Sequence, residues 1–409
     1  MKNKPRLAII SPFLDKQHGT ERRVVEEISH LTEAFETHIY SQRVEDLDLS
    51  EVVWHRIPKL PGPHLFDYMW WFMANHIWRR FDRAFRGLNF DLVFSPGVNC
   101  LDADVVSVHI LFAEYIRDVR ERLLFAQNAP RIWPRVLHRR LYYSLIVFLE
   151  RHVYENPHTM LIAISRMAAS TLEGSFGRGG LPIVYAGIDH KIFNAERRGG
   201  LRQDARGKLD LPEDQFAVVL VGNDWRNKGV LVLLEALEQL REVPIQLLVV
   251  TREDPSACWP IVKRKHLENR VRFLPPRKDI EFYYAAADAY VGPSLHDSYA
   301  MPPAEAMACG LPVIVSAAAG VSEIITDGAD GLILNDPRDA TALGAMIRRL
   351  YEDKVFRTQL GENAVLTSQK YTWERNGQQL RGIFESVLQR KAPPVFEEEG
   401  VKARGVFPK

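Results

Sequence analysis

Asp297-Ser298-Tyr299-Ala300-Met301-Pro302-Pro303-Ala304-Glu305-Ala306-Met307-Ala308-Cys309-Gly310-Leu311-Pro312 is the most informative stretch of this chain. Pro303 suits a helix's first turn, where a missing N–H costs nothing, and Gly310 followed by Leu311-Pro312 supplies a left-handed cap and a stop. The spacing predicts a short helix whose N-terminus opens on the preceding loop. Backbone N–H groups at such an end, with the positive pole of the helix dipole, attract phosphate, while Asp297 and Glu305 can accept hydrogen bonds from hydroxyls. Each acid alone has a plainer account: the dipole favours a first-turn Glu, and Asp is common in turns. Together they point to a ligand that carries both sugar and phosphate.

Working outward, the stretch lies between two strand-like runs, Ala289-Tyr290-Val291 and Pro312 to Val315. The same alternation begins at Phe216: strand Ala217 to Val221, helix Val230 to Leu240, strand Gln246 to Val250, strand Val271 to Leu274, and helix Ile280 to Ala286. An earlier series runs from Arg6 to about Ala186, with strands at Leu7 to Ile10, Thr37 to Tyr40, Leu92 to Phe94 and Val105 to Val108, and a helix at Thr20 to Ala34. Short apolar runs alternating with helical patterns indicate parallel sheets with crossover helices, so the expected class is α/β with two doubly wound units. Ligands of such sheets sit outside the strands' carboxyl ends, here in the cleft between units.

The length of 409 residues accommodates two cores. With 53 Lys and Arg against 52 Asp and Glu, nothing global points to nucleic acid. Cys100, Cys258 and Cys309 are odd in number and scattered, against a disulfide framework or a zinc site and in keeping with a reducing cytoplasm. Leu7 to Ile10 follows Lys2 and Lys4 but is closed by Pro12, so it is expected as a buried strand rather than a signal peptide. No run approaches the roughly 20 apolar residues that span a bilayer.

Three further sites carry chemistry. Val221-Gly222-Asn223-Asp224-Trp225-Arg226-Asn227-Lys228-Gly229-Val230 joins a strand to a helix, so a glycine loop delivers Arg226 and Lys228 to the cleft, where they can neutralise a departing diphosphate. Gln17-His18-Gly19-Thr20-Glu21-Arg22 follows the first strand and opens a helix, and Gly19 lets the backbone approach a ligand. His109 ends the strand Val105-Val106-Ser107-Val108, at the sheet's carboxyl edge. Asp102-Ala103-Asp104 matches a metal-holding D-x-D, but two acids before a strand are commonplace and no metal is expected there.

The pattern resembles the retaining glycosyltransferases of the GT-4 family, whose E-x7-E signature typically reads E-S-F-G-L-P-P-x-E-A-M-A-C-G-x-P-V. Asp297 replaces the first Glu and Ala300 the usual Gly. The Lys228 loop resembles the family's G-R-x-x-x-x-K-G, with Asn223 in place of Arg and Arg226 the candidate for the missing charge; Gly19 to Arg22 resembles its G-G-x-E-R, with Thr20 for the second Gly. Ala163-Ile164-Ser165, Tyr185 to Phe193, and Gly320 to Leu332 extend the resemblance over most of residues 6 to 385. The resemblance implies a GT-B fold and retaining, metal-independent sugar transfer from a nucleotide diphosphate sugar to a glycan or lipid-linked acceptor, in cell-envelope polysaccharide, lipopolysaccharide or glycolipid synthesis, with no cofactor. It implies contact of His109 and Asp297 with the donor sugar, of Glu305 with the ribose and of Lys228 with the phosphates. Gly19, Thr20, Gly222, Asn223, Ser298, Tyr299, Ala300, Met301 and Pro302 complete the implied donor site. The rival readings are a GT-B sugar-nucleotide epimerase and a non-catalytic sugar-nucleotide-binding subunit.

The expected organisation is an acceptor domain over 1–187, a nucleotide-sugar domain over 188–372, a helix over 373–390 crossing back to the first, and a mobile tail over 391–409. Aromatic and basic residues interleave at Trp70, Trp71, Phe72, Trp78, Arg79, Arg80, Phe81, Arg83, Phe85 and Arg86, and again at Arg131, Trp133, Arg135, His138, Arg139, Arg140, Tyr142 and Tyr143. Such helices can lie on an anionic membrane, with Arg79, Arg80, Arg139 and Arg140 on phosphates; the alternative is surface helices whose aromatics pack on the sheet. A cytoplasmic protein, peripheral on the membrane's inner face, is expected.

Overall fold

A computed structural model describes residues 4–16, 19–114, 116 and 133–391. Gln17, His18, Arg131 and the tail beyond 391 lie outside the described residues.

Strands β1 (Arg6–Ile10), β2 (Phe13–Leu14), β3 (Glu36–Ser41), β4 (Arg43–Val44), β5 (Val52–Arg56), β6 (Leu92–Pro96), β7 (Val105–Val108) and β8 (Met160–Ala163) belong to the first half. Six form a parallel sheet in the order β5-β3-β1-β6-β7-β8, and β2 pairs with β4 alone. The second half holds β9 (Phe216–Val221), β10 (Ile245–Val250), β11 (Val271–Leu274), β12 (Ala289–Gly292), β13 (Val313–Ser316) and β14 (Leu332–Leu334), parallel in the order β11-β10-β9-β12-β13-β14. Both orders reverse beside their first strand, which opens a crevice at the carboxyl ends of β1 and β9.

Strand periodicity explains the layers. Alternate residues of β9 point to opposite faces, so Phe216, Val218 and Leu220 join one core with helices Val230–Gln239 and Ala340–Glu352. Ala217 and Val219 join another with helices Glu281–Ala286 and Met301–Ala308. β1 divides likewise, Leu7 and Ile9 on one side, Ala8 and Ile10 on the other. Strands β5 and β8 have no counterpart in the sequence expectation. β5 is an edge strand with Val53 exposed, so its apolar run is too weak to stand out.

The chain passes between the halves twice at one place, where Ile188 donates to the Tyr371 carbonyl at 3.1 Å. A Cβ on Gly187 would lie 2.4 Å from the Trp373 nitrogen, so the crossing tolerates only glycine. Helix Trp373–Lys391 then packs Leu380, Phe384 and Val387 against Val24, Ile28 and Leu31 of helix Gly19–Leu31.

The first aromatic-basic stretch forms helix His64–Arg86, and its register corrects the membrane-facing reading of two residues. Trp71 is buried in the core, and Arg79, 7% exposed, forms two bonds to the Asp102 carboxylate at 2.7 and 2.8 Å. A cation placed inward keeps its charge only with such a partner, which gives Asp102 a structural task. Asp104 accepts from the Val93 amide at 2.8 Å and pairs with Lys391 at 2.9 Å, so both acids of the D-x-D match have protein partners.

Candidate active site

The loop Gly292 to Met301 leaves β12 and is pinned to the turn after β13. Asp297 donates its amide to the Ala318 carbonyl at 3.0 Å, and the Gly320 amide donates to the Asp297 carbonyl at 2.9 Å. The Tyr299 amide donates to Asp297 Oδ1 at 3.2 Å, which orients the carboxylate. Helix Met301–Ala308 follows, and Gly310, at φ 71°, closes it in the left-handed conformation expected of it. Ala300 also has a positive φ, 68°, the backbone for which glycine is the unstrained choice. Pro302 and Pro303 carry no N–H, so the helix start offers fewer amide donors than an ordinary N-terminus.

The Lys228 loop is tied to the acidic loop. The Leu295 amide donates to the Asn227 carbonyl at 2.7 Å, and Asn227 Nδ2 donates to the His296 carbonyl at 2.8 Å. Lys228 Nζ then meets Asp297 Oδ2 in an ion pair, both side chains mostly buried. Gly222 makes room for the lysine here: a Cβ would lie 2.8 Å from Lys228 Cε. Glu305 is held from two sides, by Arg22 Nη1 at 2.7 Å on Oε1 and by the Tyr284 hydroxyl at 2.9 Å on Oε2. Burial lowers the Arg22 pKa, but the charges of Glu305, Tyr284 and Glu26 and the hydrogen bond to Glu305 together more than offset it, and the net shift is upward.

One cavity of about 1270 Å³ collects these groups. Gly19, Thr20, His109, Gly222, Asn223, Lys228, Asp297, Ser298, Tyr299, Ala300, Met301, Pro302 and Glu305 all line it. Arg226 does not. Its guanidinium stacks 4.1 Å over the Trp225 ring, because within one turn it projects to a different side from Lys228. The cavity's other cations include Arg22, Arg23, Arg252 and Lys278, to which the sequence reading gave no role. Arg252 follows the carboxyl end of β10, the place where ligand contacts concentrate in such sheets, and that signal was available. Asn223, standing where the resemblance has Arg, accepts the Arg252 amide at 3.1 Å.

His109 is buried, and its Nε2 lies 2.8 Å from the Ser107 hydroxyl. Burial first, then the Arg23 charge, hold its pKa well below the ordinary imidazole value, so it is neutral at physiological pH. A neutral ring with one nitrogen engaged by Ser107 keeps the other for a ligand. Gly19 has open space where a Cβ would stand, so protein packing does not demand glycine there. On the first sheet's side the cavity is walled by His64, His138, Tyr142 and Tyr143, with the His64 and Tyr142 rings 4.7 Å apart.

Residues 202–366 match the family model of glycosyl transferases group 1. Over this segment the chain is similar to the group 1 glycosyl transferases. The chain is 26% identical over 268 residues to a D-inositol 3-phosphate glycosyltransferase of Corynebacterium urealyticum, covering 62% of this chain and 61% of that one. It is 32% identical over 230 residues to the D-inositol 3-phosphate glycosyltransferase of Corynebacterium kroppenstedtii, covering 53% and 50%. The chain thus spans between half and about three fifths of these relatives' lengths. Its fold is the GT-B fold. It superposes on WaaG, a glycosyltransferase involved in lipopolysaccharide biosynthesis, with a TM-score of 0.75 at 20% identity, over 92% of this chain and 99% of that one. Sucrose-phosphate synthase from Thermosynechococcus elongatus gives 0.75 at 22% over 95% and 100%, and Anabaena HepE in complex with UDP-glucose gives 0.69 at 19% over 93% and 99%.

Proposed function

We propose that this chain is a retaining, metal-independent glycosyltransferase that moves a sugar from a nucleotide diphosphate sugar to an acceptor hydroxyl, in the synthesis of a cell-envelope polysaccharide, lipopolysaccharide or glycolipid. The observation that carries this reading is the convergence of Asp297 and Glu305 on one cleft, each paired with a cation from another element, Lys228 and Arg22. The match to group 1 glycosyl transferases supports it, as does the sugar nucleotide bound by HepE.

In this proposal Glu305 accepts the ribose hydroxyls, and Asp297 and the neutral His109 hold the donor sugar. Lys228, with Arg252 and Lys278 on the same cavity, balances charge as the diphosphate departs. The acceptor enters past His64 and Tyr142, whose rings offer faces on which a sugar can stack. The bond from the anomeric carbon to the diphosphate breaks as the acceptor oxygen bonds on the same face, and the departing diphosphate oxygen takes the acceptor's proton. No protein nucleophile is needed.

The test is incubation of the purified protein with UDP-, GDP- and ADP-sugars, with and without lipid-linked or polysaccharide acceptors. Acceptor-dependent release of nucleotide is expected. Epimer formed without acceptor would overturn the proposal in favour of an epimerase, and binding without turnover in favour of a non-catalytic subunit.

The acceptor is proposed to be presented at an anionic membrane surface. Helix His64–Arg86 carries an exposed apolar stripe of Phe66, Met69, Met73, Ile77, Phe81 and Phe85, with Arg80 and Arg83 also exposed. Among the described residues no helix is long and apolar enough to cross a membrane.

A further inference from the structure

Behind the cleft, one carboxylate of the second half collects three donors of the first. Glu323 stands in the short turn Gly320–Ile324. Its Oε2 accepts the Arg166 amide at 2.7 Å and the Tyr185 hydroxyl at 2.9 Å, and its Oε1 accepts the Met167 amide at 2.7 Å. Arg166 and Met167 open helix Arg166–Phe176, whose own cap, Ser165, accepts only the Ala168 amide, so Glu323 satisfies two of the remaining N–H groups and meets the positive end of the dipole. The fit is close: a Cβ on Gly320 would lie 2.8 Å from Ser165 Cβ and 2.2 Å from the Ser298 carbonyl oxygen. The same turn holds the acidic loop, its Gly320 amide on the Asp297 carbonyl at 2.9 Å and its Val321 amide on the Tyr299 carbonyl at 2.6 Å. Towards the first half, Ile164 and Ala186, the neighbours of Ser165 and Tyr185, line the cavity. Val108 and Ala163 are in register, so Ile164 leaves the sheet beside His109.

We propose that Glu323 is a positioning residue: it fixes the acidic loop of the second half against the β7–β8 side of the first, and so sets where Asp297 stands relative to His109. This rests on the sugar-transfer reading above. Groups that act together on one reacting centre have to be held to within about 0.5 Å, and here they come from separate sheets. Inside the cleft, Arg22 and Glu305 join the halves through two long side chains. Glu323 joins them through three bonds to one carboxylate, and two of its donors are backbone amides at a helix end, which cannot swing away. The turn that carries Glu323 is bonded directly to the loop that carries Asp297, so a shift at the carboxylate passes to the cleft through backbone alone.

Glu323→Gln keeps the shape of the side chain but turns an N–H group towards one of the three donors. Donor KM and kcat are measured with melting temperatures. The separation of the halves is read by pulsed electron spin resonance between labels on Asn89→Cys and Gln203→Cys, both exposed positions, the three native cysteines being buried. Expected are a broader distance distribution than in the labelled parent, kcat about tenfold lower, and donor KM changed less than about threefold, because Lys228, Arg252 and Glu305 stay together in the second half. Tyr185→Phe removes one donor and leaves the helix amides in place; it is expected to broaden the distribution less and to lower kcat about threefold, and it decides the matter if Glu323→Gln does not fold. An unchanged distance distribution overturns the tie. A broadened distribution with unchanged kcat overturns the positioning role, as does a donor KM that rises as much as kcat falls. If the wild type transfers no sugar, the transfer reading falls, while the distance measurement still decides whether Glu323 holds the halves together.

Discussion

Arg22 Nη1 lies 2.7 Å from Glu305 Oε1, an ion pair that joins the first turn of helix Gly19–Leu31 to helix Met301–Ala308 across the cleft. The guanidinium also sits 5.5 Å over the Phe193 ring. The pair therefore couples the two halves of the molecule through the carboxylate proposed to hold the ribose. Arg22→Met leaves Glu305 largely buried with Tyr284 as its remaining partner, and is expected to cost about 2 kcal/mol of stability. The double variant Arg22→Met/Glu305→Gln should lose less than the sum of the single variants, measured by denaturant unfolding. The donor KM of Arg22→Met should rise about tenfold with a smaller change in kcat; an unchanged KM would show that Arg22 does not position Glu305.

Gly222 sits under the Lys228 side chain, and an added Cβ would press on Lys228 Cε at 2.8 Å. That atom belongs to a flexible side chain, so Gly222→Ala should fold while displacing the ammonium from Asp297. Expected are a melting temperature lowered by roughly 5 °C, since alanine is strained at the φ of 154° that Gly222 adopts, and a loss of about 10² in kcat, since a charge misplaced by about 1 Å loses much of its effect on a transition state.

Ala300 pays for its positive φ, 68°, with steric strain. Ala300→Gly removes that strain at the expense of a more flexible unfolded chain, for a net gain of about 0.5–1 kcal/mol. The urea midpoint should rise with an unchanged m-value. A fall would mean that the Ala300 methyl packs better than its backbone suffers.

Glu150 is fully buried, and although it accepts from the Phe112 and Ala113 amides at 2.7 and 3.0 Å, burial pushes its pKa from 4.5 to about 7. The folded state thus binds the proton more tightly than the unfolded chain. The associated stability is present below pH about 4.5 and is lost as pH rises towards 7, by up to about 3 kcal/mol. Glu150→Gln should abolish that part of the pH dependence in denaturant titrations between pH 4.5 and 7.5; parallel curves for variant and wild type would refute it.

The exposed stripe of helix His64–Arg86 gives the membrane proposal a sharper test than the whole basic cluster. Arg80→Glu/Arg83→Glu should weaken flotation with anionic liposomes and leave the melting temperature unchanged, because both side chains face water. Arg79→Glu should instead unfold the first half, since Arg79 is inside with Asp102. Equal flotation of wild type and the double variant would dismiss an electrostatic contact.

By itself the sequence determined the parallel α/β class, the short helix closed by Gly310, and the loops that supply the cleft. These follow from short-range physics: strand alternation, helix periodicity, and the backbone freedom of Gly and Pro are written in adjacent residues. The tertiary structure decided which side chains meet. Arg22 and Glu305 are far apart in the chain, and no local pattern shows that one finds the other, or that Asp297 settles on Lys228. It also decided which way each helix turns. Arg79 and Arg80 look alike in sequence, yet one is locked on Asp102 and the other faces water, and Arg226 stacks on Trp225 while Lys228 enters the cleft. A helix or turn fixes only the angles between its residues; the packing of the whole chain fixes which of those directions is inside.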